Sequence, residues 1–240
     1  MKPKFGTLEK KLSVIKKNNL LRNLQDSQIE KQFIKQNGKK LLNFSSNDYL
    51  GMNPGKIKHI QFQSSSRLVS GNDNSFSILE KKLAKHKSQE KSIIFPTGYM
   101  ANLGIISSIA DKQDTIFSDE LNHASIVEAC KLSGSKIKIF KHNDMGDLER
   151  KIEKTKGKKF LVTEGIFSMD GDWSRLDKIS QIAEKHKIIT ILDDAHGDFV
   201  LGKDGKGSAK FFDVEKKIDL YISSLSKGLG SFGGYVCGKK

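Results

Sequence analysis

An α/β fold, a mostly parallel sheet flanked by helices, is what this sequence predicts. Three observations carry the prediction. From residue 91 onward, short apolar runs alternate with stretches of helical period. The runs are rich in Ile, Val, Leu and Phe and are bounded by turn residues, the pattern of buried parallel strands. Two of the runs end in chemically capable groups: residues 188–192 lead into Asp193-Asp194-Ala195-His196-Gly197, and residues 219–225 into Ser226-Lys227-Gly228. Open α/β sheets bind their ligands beyond such carboxyl ends.

The elements follow in order. Leu8, Leu12 and Ile15, then Leu20, Leu21 and Leu24, then Ile29 and Phe33 recur at helical spacing, with a break at Asn18-Asn19. Residues 1–42 are therefore expected to be an N-terminal helical arm, and 43–240 one large domain. Leu41–Ser45 is expected to be a strand and 61–75 a polar loop. A helix follows with Phe76, Leu79 and Leu83 on its apolar face and Ser75 as N-cap. Strands are then expected at 92–95, 115–117, 136–140, 160–163, 188–192, 219–225 and 235–237. Between them lie helices at 99–110, 123–132, 147–154 and 176–186. Such alternation builds a sheet with helices on both faces.

The 240 residues suffice for one large domain or two small ones. No run approaches the length of a membrane span, and the N-terminus lacks a signal-peptide pattern. Cys130 and Cys237 form no metal or redox motif, so a cytoplasmic, reduced protein is the expectation. The net charge of +14 is spread along the chain in pairs such as Lys10-Lys11 and Lys81-Lys82, without interleaved aromatic residues. That distribution argues against nucleic-acid binding and suits a solvated surface that attracts an anionic substrate.

An acid with a histidine after one strand and a lysine flanked by hydroxyls after another suit a phosphorylated aldehyde cofactor with a basic ring nitrogen. The lysine forms a Schiff base, the acid keeps the ring nitrogen protonated, and hydroxyls and backbone N–H groups hold the phosphate. Pyridoxal 5'-phosphate (PLP) is the cofactor this set implies. The turn Thr97-Gly98-Tyr99 opens a helix and offers free N–H groups to a phosphate. His123, at another helix start, suits stacking on a planar ring. Glu164 and Ser168 lie on the segment leaving a further strand. A metal centre of Asp193, Asp194 and His196 with Asp119 or His123 is the alternative enzyme reading. The spacing Gly228-x-Gly230-x-x-Gly233 matches the dinucleotide fingerprint, but a strand rather than a helix is expected after it.

Together these segments resemble the α-oxoamine synthases, fold-type I PLP enzymes. The resemblance rests on Asn43-Phe44-Ser45-Ser46-Asn47-Asp48-Tyr49-Leu50-Gly51, Ser66-Arg67-Leu68-Val69-Ser70-Gly71-Asn72, Gly98-Tyr99-Met100-Ala101-Asn102, Leu121-Asn122-His123-Ala124-Ser125, Thr163-Glu164-Gly165, Phe167-Ser168-Met169-Asp170-Gly171-Asp172, Asp193–Gly197 and Ser224–Tyr235. It implies that Lys227 forms the Schiff base and moves the Cα proton. Asp193 would pair with the pyridine nitrogen, His196 would contact the phenolic oxygen, and His123 would stack on the ring. Gly98, Tyr99 and Ser224 would bind the phosphate. Ser168 and Glu164 would line the site, and Asn47 would lie near the substrate carboxylate. The implied reaction condenses an amino acid with an acyl thioester and releases CO2. Asp193–Gly197 and Ser66–Asn72 follow the branch that uses L-alanine and a pimeloyl thioester. The resemblance also implies a homodimer. Two departures stand out. Asp198-Phe199 replaces small residues, which predicts a narrower pocket. Family members also continue into a smaller C-terminal domain carrying the arginine that binds the substrate carboxylate, and this sequence is expected to stop short of it.

Overall fold

The computed structural model describes residues 6–52 and 65–240. The first residues of the expected 61–75 loop lie outside them. The chain divides into Met1–Ser46 and Asn47–Lys240.

Among the described residues of the first unit, helical spacing is realised only over α1 (Gly6–Lys17). The expected continuation is instead a three-stranded antiparallel meander, β1 (Ser27–Glu30), β2 (Phe33–Gln36) and β3 (Lys39–Leu42). The reason is local. Lys31, Asn37 and Gly38 all take left-handed backbone, and Asn37-Gly38 is the dipeptide that favours a tight hairpin turn. Ile29 and Phe33, four apart, fit a helix face and a hairpin equally well.

The second unit begins its regular structure with α2 (Asn74–His86), capped by Asp73 rather than by Ser75; the Asp73 carboxylate accepts the Ser75 N–H at 2.8 Å. Then follow β4 (Lys91–Phe95), α3 (Gly98–Ile109), β5 (Thr115–Asp119), α4 (Ala124–Leu132), β6 (Lys136–Phe140), α5 (Met145–Glu153), β7 (Lys159–Glu164), α6 (Leu176–His186), β8 (Ile189–Asp193), the short α7 (Ser208–Phe211), β9 (Leu220–Ser224) and β10 (Gly234–Gly238). Among the described residues, seven of these strands form one sheet in the order β4-β10-β9-β8-β7-β5-β6. β10 runs antiparallel to both neighbours, and the other pairings are parallel.

The period-2 alternation of the strands sorts two cores. Ile116, Phe160, Val162, Ile191, Ile222 and Val236 face α3 and α4, meeting Ala101, Ile106, Ile126 and Ala129. Phe117 and Leu161 face the other way, onto Leu148 and Ile152 of α5 and Ile179 and Ile182 of α6. Leu192, Tyr221 and Tyr235 share that second face with Leu83 and Ala209. The sheet is thus covered on both sides, as a parallel sheet requires. Gly228, Gly230 and Gly233 lead into the strand β10, so the helix of a dinucleotide fingerprint is absent there.

Candidate active site

The carboxyl ends of β7, β8 and β9 deliver Glu164, Asp193 and Ser224 to one cavity. The starts of α3 and α4 close it with Thr97, Gly98, Tyr99, His123 and Ser125, and Lys227 lines it just beyond β9. α3 can enter so closely because β10 begins with glycine. A Cβ on Gly234 would lie 2.4 Å from the Gly98 nitrogen. In the first turn of α3, Thr97 takes up two N–H groups: its hydroxyl accepts from Met100 and its carbonyl from Ala101. The N–H groups of Gly98 and Tyr99 have no intrahelical partner. Ser224 and Ser226 stand beside them, their hydroxyls 2.8 Å apart.

Lys227 is half-buried, and its Nζ lies 2.7 Å from His196 Nε2. Burial lowers the Lys227 pKa, and the charges of Asp193 and Glu164 offset that only in part. His196 is pushed down to about 4, by burial first and then by the charges of Lys227 and His123. A neutral imidazole therefore accepts from the Lys227 amine. Its Nδ1 meets the Tyr49 hydroxyl at 2.6 Å, and Tyr49 in turn donates to Asn47 Oδ1 at 3.2 Å. The polarity is consistent throughout: Lys227 donates to Nε2, Nδ1–H donates to Tyr49, and Tyr49 donates to Asn47.

Asp193 is buried. One carboxylate oxygen accepts from Asn102 Nδ2 at 2.6 Å and the other from the Ala195 N–H at 3.1 Å. Glu164 accepts the His123 N–H at 2.5 Å. Burial, and then the neighbouring Asp193 charge, raise the Glu164 pKa to about 8. Tyr99 meets the His123 ring edge-on, with centroids 6.2 Å apart.

The expected residues Gly98, Tyr99, His123, Glu164, Asp193, Ser224 and Lys227 thus line one cavity, His196 touches Lys227, and Asn47 joins through Tyr49. Ser168 is not brought in. It lies exposed on the turn after Phe167 and outside the lining. That turn is held by Asp172, whose Oδ2 meets His142 Nε2 at 2.7 Å and accepts from Asn143 at 2.9 Å. The expectation that Asp198-Phe199 narrows the pocket is overturned: neither residue lines it, and Phe199 stacks on His86. Asp198 is fully buried and turned away, bound to Lys87 at 2.7 Å, to His86 at 3.1 Å and to the Tyr235 hydroxyl. The metal alternative fails for a related reason. Asp194 points opposite to Asp193, into Ser208 and Lys87, and among the described residues no group of three His, Cys, Asp or Glu side chains is set to hold a metal ion. Sequence reasoning missed Asn102, Ser125 and Tyr49. All three lie inside quoted motifs, and nothing in their spacing separates a site residue from a helix or turn residue.

The donor set fits PLP. Helix N–H groups without an intrahelical partner, with two serine hydroxyls, suit a phosphate, a buried carboxylate suits a protonated ring nitrogen, and a half-buried amine of lowered pKa suits an aldehyde carbon.

Comparisons with known proteins agree with this geometry. Residues 39–240 match the family aminotransferase class I and II. An 8-amino-7-oxononanoate synthase of Thermoanaerobacter pseudethanolicus is 44% identical over 216 residues, covering 85% of this chain and 55% of that protein. A second, from Lysinibacillus sphaericus, is 42% identical over 240 residues, covering 95% and 62%. A serine palmitoyltransferase from S. paucimobilis, solved with a PLP–myriocin adduct bound, superposes with a TM-score of 0.86 at 27% identity, covering 98% of this chain and 63% of that one. The resemblance to α-oxoamine synthases is borne out. The chain spans between 55% and 63% of the length of these relatives.

Proposed function

The chain belongs to the aminotransferase class I and II family, and from that premise we propose that it is the PLP-binding part of an α-oxoamine synthase. The reaction joins L-alanine to a pimeloyl thioester, as the coenzyme A or carrier-protein form, and yields 8-amino-7-oxononanoate, a free thiol and CO2. The observation that carries this reading is Lys227, a half-buried amine of lowered pKa whose hydrogen-bond partner is a neutral histidine rather than a carboxylate.

When bound, PLP supplies an aldehyde that condenses with amines and a protonated ring that draws electrons from the amino acid's Cα. The residues then divide the remaining work. Gly98 and Tyr99 N–H groups and the Ser224 hydroxyl hold the phosphate. Asp193 holds a proton on the ring nitrogen by charge. His123 covers one ring face, and Glu164 braces the His123 backbone. Lys227, whose pKa burial lowers, takes the Cα proton at its Nζ. His196 steers that amine through Nε2, and Asn47 with Tyr49 fixes the His196 ring and flanks the substrate carboxylate. The cofactor-binding part runs from about residue 43, and a homodimer is the proposed assembly. Leu24, Phe44, Leu68 and Val69 are almost wholly exposed apolar side chains, which supports a covering partner chain.

The test is thiol release by the purified chain with PLP. Alanine, glycine and serine are each paired with pimeloyl-, acetyl- and palmitoyl-CoA, and products are identified by mass. The expected result is Lys227-dependent thiol and CO2 release from alanine with pimeloyl-CoA. A preference for glycine with acetyl-CoA, or for serine with palmitoyl-CoA, overturns the substrate assignment. No release with any pair overturns the activity for this chain.

A further inference from the structure

Asn102 on α3 and Ser125 on α4 connect the acid of the site to its stacking histidine. We infer that these two are positioning residues that lock Asp193 and His123 into one arrangement, with the His123 ring proton on Nε2. The roles of Asp193 and His123 rest on the reading above; the hydrogen-bond polarity does not.

Asn102 is 2% exposed, and its Nδ2 lies 2.6 Å from Asp193 Oδ2 and 2.9 Å from Ser125 Oγ. An amide nitrogen has two hydrogens, and both are engaged. The carboxylate also settles which end of the amide is which, because the reversed amide would set oxygen against oxygen. Ser125 is fully buried, and its oxygen accepts from Asn102. Its single hydrogen therefore goes to the other neighbour within reach, His123 Nδ1 at 2.7 Å. An independent contact demands the same polarity. The Ser125 backbone N–H, which can only donate, reaches the same Nδ1 at 3.2 Å. Two donors converge on Nδ1, so that atom offers its lone pair, and the neutral ring carries hydrogen on Nε2 in the cavity. The chain thus starts at a carboxylate that can only accept and ends by choosing a tautomer. It makes His123 a fixed donor before any ligand arrives.

The opposite choice is made at His196, where Nε2 accepts from Lys227 and Nδ1 donates to Tyr49. Two histidines of one site are held in different tautomers by different neighbours.

The experiment is ¹⁵N NMR of imidazole nitrogens in the full chain without cofactor, with the His123 signals assigned by His123→Asn. The expected wild-type result is an unprotonated Nδ1 and a protonated Nε2. Asn102→Asp replaces a donor by an acceptor, draws the Ser125 hydrogen away from His123, and should shift population toward protonated Nδ1. Ser125→Ala should give a mixture, since the Nδ1 hydrogen bond from its hydroxyl is lost. Circular dichroism establishes that each variant folds; where Asn102→Asp does not, Ser125→Ala decides. A wild-type ring protonated on Nδ1, or a tautomer unmoved by the folded variants, overturns the inference. A separate PLP titration should show Ser125→Ala weakening binding about fivefold, the loss of one neutral hydrogen bond. Wild-type protein that shows the expected tautomer but binds no PLP would sink the cofactor reading and leave the relay standing.

Discussion

Lys87 and Lys227 are both withdrawn from water, and their surroundings drive them in opposite directions. Burial alone would lower either ammonium. At Lys87, contact with Asp194 at 3.0 Å and Asp198 at 2.7 Å outweighs burial and holds the pKa above its ordinary value. At Lys227 the nearby carboxylates act only from a distance, burial wins, and the pKa falls. The two lysines meet opposite sides of one turn. Asp193 faces the cavity and its neighbour Asp194 faces the interior. A buried cation in contact with carboxylates serves the fold, and a buried amine without such contact is available for chemistry.

The sharpest way to break this comparison is to truncate each lysine. Lys87→Ala leaves Asp194 and Asp198 buried without their cation and should cost about 3–5 kcal/mol. For a domain of this size that is a melting temperature lower by about 10 °C. Lys227→Ala removes a desolvated amine and should leave the melting temperature within about 2 °C. Calorimetry on both variants decides, and equal losses would mean that the two lysines do not differ in kind. Asp198→Asn tests the fold side more gently. Lys87 keeps Asp194, while Asp198, which Lys87 and the hydrogen bonds of His86 and Tyr235 hold at about 2 despite its burial, loses its charge. The expected cost is smaller, about 1–3 kcal/mol by denaturant titration.

The pH dependence sharpens the site side. Glu164 is raised to about 8 in the folded, cofactor-free chain from an ordinary 4.5. The native state then binds more protons than the unfolded state between those values, so stability falls as pH rises through that window. Glu164→Gln should flatten the slope. His196, lowered to about 4 from 6.5, acts in the other sense, and stability drops as pH falls from 6.5 toward 4. A wild-type stability profile that rises from pH 6.5 to 8 would contradict the Glu164 assignment. The smallest effect concerns the cysteines. Burial pushes the Cys130 and Cys237 thiols up to about 12. A thiol reagent at pH 8 should label neither in the folded protein and both in denaturant.

The sheet was legible because its inner strands are buried on both faces and bounded by turn residues. The site was legible where a chemically distinctive residue ends a strand, as Asp193 and Lys227 do. The meander at 27–42 was not, because Ile29 and Phe33 satisfy two periods at once and the deciding Asn37-Gly38 turn is a short-range signal. Lys87 was not legible either. In a chain this rich in lysine, a buried ion-pair partner looks like any solvated lysine until Asp194 and Asp198, more than a hundred positions later, are folded against it. Asp198 drew attention as a departure from the family pattern, but its direction was hidden, since only the fold decides which face of a turn a carboxylate meets.

The near-visible absorption spectrum of the purified chain with PLP, recorded beside Lys227→Ala and before and after addition of L-alanine, tests the central claim most directly. A band that requires Lys227 and shifts with alanine is the predicted result. Folded wild-type protein with no such band, or a band that survives Lys227→Ala unchanged, would contradict the assignment of Lys227 as the amine that holds the cofactor.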